Sequence, residues 1–168
     1  VSFLRALYPN TTPGLMMVSC DGHVPLVDVK PFWTGEWTDF NEIAKQAVRR
    51  AESRNVWMNV CMRGPVAAGK RGSAENVFAL PGVWADVDFK LLDSDRDVAI
   101  EKADKLLDSF PIVPSIVVAS GNGYHPYWLL DKAWEWSFDD DPARQRADAK
   151  SLVFSFNTLL NEMAKAVG

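Results

Sequence analysis

The sequence is poor in the residues that staple or anchor a small protein. It has two cysteines, Cys20 and Cys61, in 168 residues. They lack the paired spacing of a disulfide framework or a Cys-x-x-Cys zinc site, so both read as buried thiols in a reducing compartment. Cys20 and His23 could join Cys61 and His125 in a zinc site only if all four converged. No apolar run reaches the ~18 residues of a membrane helix and no basic-then-apolar leader precedes the first element, which points to a soluble, cytoplasmic protein with no membrane partner. A basic surplus is missing as well: 18 Lys and Arg stand against 22 Asp and Glu, for a net charge of −4. That balance argues against an indiscriminate nucleic-acid binder, while leaving room for a local basic patch or an acidic site neutralised by a metal. Val1 rather than methionine stands first, as expected of a processed chain or a piece of a longer one.

What the chain does have is apolar residues, 48% of the total, enough for one domain with a real core. The stretch around which it is organised is Val83 to Phe89, where Trp84, Asp86 and Asp88 alternate with Val83, Ala85, Val87 and Phe89. A strand there would put two carboxylates and an indole on one face and the apolar set on the other. Some thirty residues later, Asn122-Gly123 is a pair that tolerates positive φ at both centres of a type I′ turn. The resulting hairpin would place Ser120 opposite His125, Val118 opposite Tyr127 and Val117 opposite Trp128. Carboxylates two residues apart on a strand can hold Mg²⁺ or Mn²⁺, hard cations that take oxygen ligands and share them with substrate phosphates. A hydroxyl and an imidazole beside them suit a phosphate chain.

The remaining sequence supplies supporting elements. Ser2 to Tyr8 predicts a short helix stopped by Pro9, and two strands, Leu15 to Ser19 and Val24 to Lys30, flank the turn signal Asp21-Gly22. Phe32, Trp33 and Trp37 suit a loop pinned by aromatics or a base-stacking surface. Thr38 or Asp39 can cap a helix with apolar Phe40, Ile43, Ala44, Ala47, Val48 and Ala51, its other face carrying Lys45, Arg49 and Arg50. A strand from Asn55 to Met62 leads into Arg63 to Gly72, which imitates a phosphate-binding P-loop. The match fails where Arg71 replaces the required Ser or Thr. Lys70 and Arg71 remain as contacts for a triphosphate or a template strand, or as part of a plain surface loop. Ser94 with Asp97 predicts a capping box for a helix burying Ala99, Ala103, Leu106, Leu107 and Phe110. The following strand, Ile112 to Ser120, would complete a right-handed βαβ crossover with Val83 to Phe89. Trp134 and Trp136 extend the aromatic edge. Asp141 before Pro142 caps a final helix to about Ala164 with Ala149, Leu152, Val153, Phe156, Leu159, Leu160 and Met163 in one stripe.

This order, a strand with D-x-D, a helix, then a hairpin with S-G-x-G-x-H, resembles the catalytic core of the archaeo-eukaryotic primase superfamily, in particular the primase-polymerases of plasmids, phages and other mobile elements. The resemblance covers Arg71 to Leu130 and, more loosely, the final helix. It implies an α+β, RRM-like (ferredoxin-like, split βαβ) antiparallel or mixed sheet with helices on one face. Residues 1–168 would form one catalytic domain, with 1–75 a small N-terminal α/β portion and 76–168 carrying the motifs. Asp86 and Asp88 would be ligands of catalytic Mg²⁺ or Mn²⁺, with His125 catalytic beside them. Ser120 and His125 would contact the triphosphate, Gly121 and Gly123 would allow close backbone approach, and Lys70 and Arg71 would assist. The implied activity is DNA primase and polymerase chemistry on (d)NTPs with a DNA template and primer, with a helicase or other replication domain expected downstream. One departure stands out: the family's third carboxylate lies on a strand after the helix with which this chain ends. Either the chain stops short of it, or Asp131 substitutes, or the protein does not catalyse. Competing readings are a D-x-D nucleotide-sugar glycosyltransferase and a catalytically inactive nucleic-acid-binding module.

Overall fold

A computed structural model describes residues 2–7, 18–20, 40–53, 56–64, 73–136 and 140–167. The protein is mixed α+β. In order its elements are α1 (Ser2–Leu7), β1 (Val18–Cys20), α2 (Phe40–Ala51), β2 (Val56–Met58), β3 (Met62–Arg63), a 3₁₀ turn (Ala74–Asn76), β4 (Val77–Trp84) and β5 (Val87–Asp88). There follow α3 (Phe89–Leu92), α4 (Arg96–Ser109), β6 (Ile116–Ala119), β7 (Gly123–Glu135) and α5 (Pro142–Val167). β1 and β2 form a two-stranded sheet, and a five-stranded sheet has the order β3-β4-β7-β5 with β6 also paired to β7. The β1–β2, β3–β4, β5–β7 and β6–β7 pairings are antiparallel. Two compact units make up the chain, residues 1–81 with 132–146 and residues 82–131 with 147–168.

In the first unit, α1 buries Leu4 and Leu7, three residues apart on one face. The strand expected from Asn55 to Met62 is broken into β2 and β3 where the Asn59 side chain donates to the Cys61 carbonyl. β2 pairs with β1 through Ser19 and Trp57. On α2, Ala44 and Ala47 are half-buried, but Val48 and Ala51 are exposed, so the expected apolar face is narrower than its sequence. Trp136 ties the end of this unit to β4: its N–H donates to the Phe78 carbonyl (2.9 Å) and its indole Nε1 to the Val77 carbonyl (2.6 Å). Trp134 meets Trp136 edge to face at 6.3 Å. Asp141, at φ 37°, accepts from the Arg144 N–H (3.1 Å), as expected of the cap before Pro142. The hairpin expected around Asp21-Gly22, the aromatic loop of Phe32, Trp33 and Trp37, and the capping positions Thr38 and Asp39 lie outside the described residues.

The second unit is built on the apolar half of the Val83 to Phe89 alternation. Val83, Ala85, Val87 and Phe89 are all buried, against Ala99, Ala103, Leu106 and Phe110 from α4 and its end and Leu160 from α5. The strand itself is shorter than the alternation suggests: β4 ends at Trp84, β5 is Val87–Asp88, and Phe89 already belongs to α3. Trp128, Phe110 and Phe156 form a triangle with ring centroids 4.7 to 5.2 Å apart; such pairs contribute about 0.5–1.5 kcal/mol each beyond area burial. The buried Trp128 indole donates to the Ile112 carbonyl at 2.7 Å. On α5 the inward positions are Ala149, Val153, Phe156, Leu160, Met163 and Val167. Leu152 and Leu159, expected in the stripe, lie at its rim and are exposed. The cap of α4 is Asp95, whose Oδ1 accepts from the N–H groups of Asp97 (2.9 Å) and Val98 (3.1 Å), rather than Ser94. β5 and β6 flank β7 and are both antiparallel to it, so they run parallel to one another with β7 between.

The hairpin register differs from the sequence expectation. Ala119 pairs with Tyr124, Val118 with His125, Val117 with Pro126 and Ile116 with Tyr127. The turn centres are therefore Gly121 and Asn122, and Ser120 N–H donates to the Gly123 carbonyl at 2.9 Å. Gly121 at φ +93° takes the first central position, the one that a type II′ turn reserves for glycine. Gly123 serves another purpose: a Cβ there would collide with the Val87 carbonyl of the paired strand. Gly123→Ala should destabilise the protein by about 2 kcal/mol or more because backbone must move, whereas Gly121→Ala meets open space and should cost only about 1 kcal/mol of left-handed strain. Urea unfolding of the two variants checks this order, and equal losses would contradict the register.

Candidate functional site

The site grows out of the β5–β7 pairing. Val87 pairs with Tyr124 and Asp88 with Gly123, so antiparallel register sets Asp86 directly across from His125. The side chains meet: His125 Nε2 lies 3.4 Å from Asp86 Oδ1. Val87 and Tyr124 point to the opposite, core face, where Tyr124 packs edge to face on Phe89 at 5.0 Å. Asp86, Asp88, Gly123, His125 and Val118 thus share one face, and the Asp86 side chain is 76% exposed there. Ser120 belongs to the same face. It opposes Gly123 and not His125, which leaves it two residues, about 7 Å, along the sheet from direct opposition. The one-face arrangement survives the register correction because the register sum shifts by two, and side chains alternate with period two.

The two carboxylates are not equivalent. Asp88 is the N-cap of α3: its Oδ1 accepts from Lys90 N–H at 3.2 Å and its Oδ2 pairs with Lys90 Nζ at 2.9 Å. Hydrogen bonding to the Lys90 ammonium holds the Asp88 carboxyl below the usual carboxylate range and raises Lys90 in return. Tyr127, two residues beyond His125 and buried, has its phenol pushed up first by burial and then by the Asp86 charge. Ser120 Oγ donates to the Gly123 carbonyl at 3.1 Å, leaving the oxygen's lone pairs to accept. Asp86 and Asp88 also border a cleft of about 510 Å³ that reaches Leu92 of α3 and Asn161 and Lys165 of α5.

Two exposed or half-exposed carboxylates on one face are a donor set suited to a hard divalent cation. Among the described residues no three His, Cys, Asp or Glu side chains gather as a metal-holding group. Asp131 does not complete the site. It stands six residues beyond His125 on the same strand, about 20 Å away along it. Lys70 and Arg71 lie outside the described residues, as does His23 of the alternative zinc set. Cys61 is a free thiol whose pKa burial pushes up to about 11, an inert rather than a reactive cysteine. No helix among the described residues is long and apolar enough to cross a membrane. Comparison with known proteins returns no match to a family model, a curated protein or a solved structure.

Sequence reasoning missed two cations at this site. Lys90 was legible, since an Asp followed by Phe-Lys-Leu-Leu carries an N-cap signal. Arg96, whose Nη2 donates to the Gly121 carbonyl at 2.7 Å, had no local signal, being 25 residues from its partner. The Asp88–Lys90 pair fixes a pH dependence. A carboxyl whose folded pKa is lowered contributes stability that is complete above its unfolded value of about 3.9 and is lost as pH falls through the folded value. Amide protection in α3 should therefore hold at neutral pH and fail in acid. Lys90→Met should return the Asp88 midpoint, read by carboxyl NMR, toward the ordinary carboxylate value. An unchanged midpoint would show that Lys90 is not the cause.

Proposed function

We propose that this chain carries the catalytic face of a primase-polymerase, transferring nucleotides from (d)NTPs onto a DNA primer or a first nucleotide under the direction of a DNA template. The observation that supports it most is the pairing of Asp86 across from His125 at 3.4 Å, with Asp88 and Ser120 on the same face. The split arrangement of β5, α4 and β6 around β7 agrees with an RRM-like sheet, the fold on which the resembling family builds its motifs. In this reading Asp86 and Asp88 would hold Mg²⁺ or Mn²⁺, which when bound supplies Lewis-acid polarisation of phosphoryl oxygens and neutralises their charge. His125 and Ser120 hold the triphosphate, His125 donating from its imidazole and Ser120 turning its hydroxyl from the Gly123 carbonyl. Gly121 and Gly123 keep the turn slim beside the phosphates, and Lys70 and Arg71 are the candidate contacts to the triphosphate or template that the sequence offers. Most of the rate enhancement would come from positioning and charge complementarity.

Asp88 must be released from Lys90 to ligate, and a further carboxylate must come from elsewhere. The reading accordingly places the protein in the cytoplasm within a replication apparatus of a plasmid, phage or other mobile element, with a helicase or similar domain as neighbour. The commitment of Asp88 to the α3 cap favours one second reading, a non-catalytic module that binds nucleic acid without divalent metal. Calorimetric titration of a deoxynucleoside triphosphate with Mn²⁺, without it, and with Asp86→Ala separates the two. The proposal expects metal-dependent binding weakened about tenfold or more by the substitution. Metal-independent DNA binding with no triphosphate uptake would favour the second reading and overturn the first.

A further inference from the structure

Arg96, the first residue of α4, makes two contacts that converge on the hairpin tip. Its Nη2 donates to the Gly121 carbonyl at 2.7 Å, and its Cζ stands 5.8 Å from the centroid of the Phe89 ring. Phe89 follows Asp88 directly, and its own N–H donates to the Asn122 carbonyl at 3.0 Å. Apart from its own chain neighbours, nothing lies within 4 Å of where a Gly121 Cβ would stand. A two-residue turn on a hairpin end is ordinarily among the least protected parts of a sheet. Here a planar guanidinium, hydrogen-bonded at one edge and stacked by cation–π attraction, bridges it to the residue next to a candidate carboxylate.

We infer that Arg96 is a positioning residue: it clamps the Ser120–Gly123 turn against the Asp86–Asp88 strand and so sets the spacing between the hydroxyl and imidazole on one side and the carboxylates on the other. Its relevance to triphosphate binding rests on the function proposed above. Lysine can reach the same carbonyl but offers neither the fork nor the flat face of the guanidinium, so Arg96→Lys should restore the clamp only in part.

The test compares wild type, Arg96→Ala and Arg96→Lys as the whole 168-residue chain. Amide exchange is read at Ser120 and Phe89, whose N–H groups bond within the tip, and at Ala103 and Leu106 in α4. Arg96→Ala should speed exchange at Ser120 and Phe89 by about tenfold, leave the α4 amides unchanged, and be partly rescued by lysine. Under the same conditions the Kd for a deoxynucleoside triphosphate with Mn²⁺ should rise about tenfold while the affinity for Mn²⁺ alone stays at the wild-type value. Wild-type exchange at the tip in Arg96→Ala, or equal acceleration in α4, would overturn the clamp. If wild type takes up no triphosphate, the proposed function fails by itself, and the exchange rates still decide the clamp.

Discussion

The close approach of β5 to the start of β7 is the constraint from which the rest follows. At that point Gly123 lies against the Val87 carbonyl with no room for a side chain, Val87 pairs with Tyr124, and Asp88 pairs with Gly123. The pairing decides two things at once. It sends Val87 and Tyr124 into the core under α4 and α5, and it leaves Asp86, Asp88 and His125 together on the other face. Moving the register by one residue would exchange these sets, burying charge and exposing the apolar row, so burial and site geometry are the same fact seen from two sides.

Tryptophans perform the corresponding task at two places. In one unit the Trp136 indole donates to the Val77 carbonyl, and in the other the Trp128 indole donates to the Ile112 carbonyl. Each buries a large apolar area while its single donor satisfies a main-chain oxygen, which avoids the cost of an unpaired polar atom in the core. Asn157 does the like from α5, donating to the Trp84 carbonyl where β4 ends. In the second unit the Ile112 and Trp84 carbonyls are thus satisfied by side-chain donors, while Asp86 stays open to solvent.

Much of the second unit was legible because its signals are periodic. The alternation of Val83, Ala85, Val87 and Phe89 and the spacing of Ala99, Ala103, Leu106 and Phe110 each name a buried face, and both are buried. Turn chemistry was harder. Gly121-Asn122 and Asn122-Gly123 are both plausible centres from sequence; the choice depended on the Val87 carbonyl above Gly123, a contact between distant residues. The engagement of Asp88 by Lys90 likewise arises where β5 gives way to α3, a junction that alternation cannot locate. On α5, Leu152 and Leu159 fit the apolar pattern yet are exposed, because at 3.6 residues per turn they stand roughly 60–80° to one side of the line through Ala149, Val153, Phe156, Leu160 and Met163. The carboxylate and imidazole face could be read because residue parity survives a two-residue register error; Arg96 could not, because its partners are remote in sequence.

The central claim, that one sheet face gathers Asp86, Asp88 and His125 into a cation and phosphate site, is tested most directly by titrating Mn²⁺ into isotopically labelled protein and following paramagnetic broadening of the amide signals. The account predicts early broadening at Asp86, Asp88, Gly123 and His125, with Ala149 near the start of α5, about 18 Å along the helix from the cleft residue Asn161, broadened late, and loss of the pattern in Asp86→Ala. Broadening centred elsewhere, or unchanged by that substitution, would contradict it.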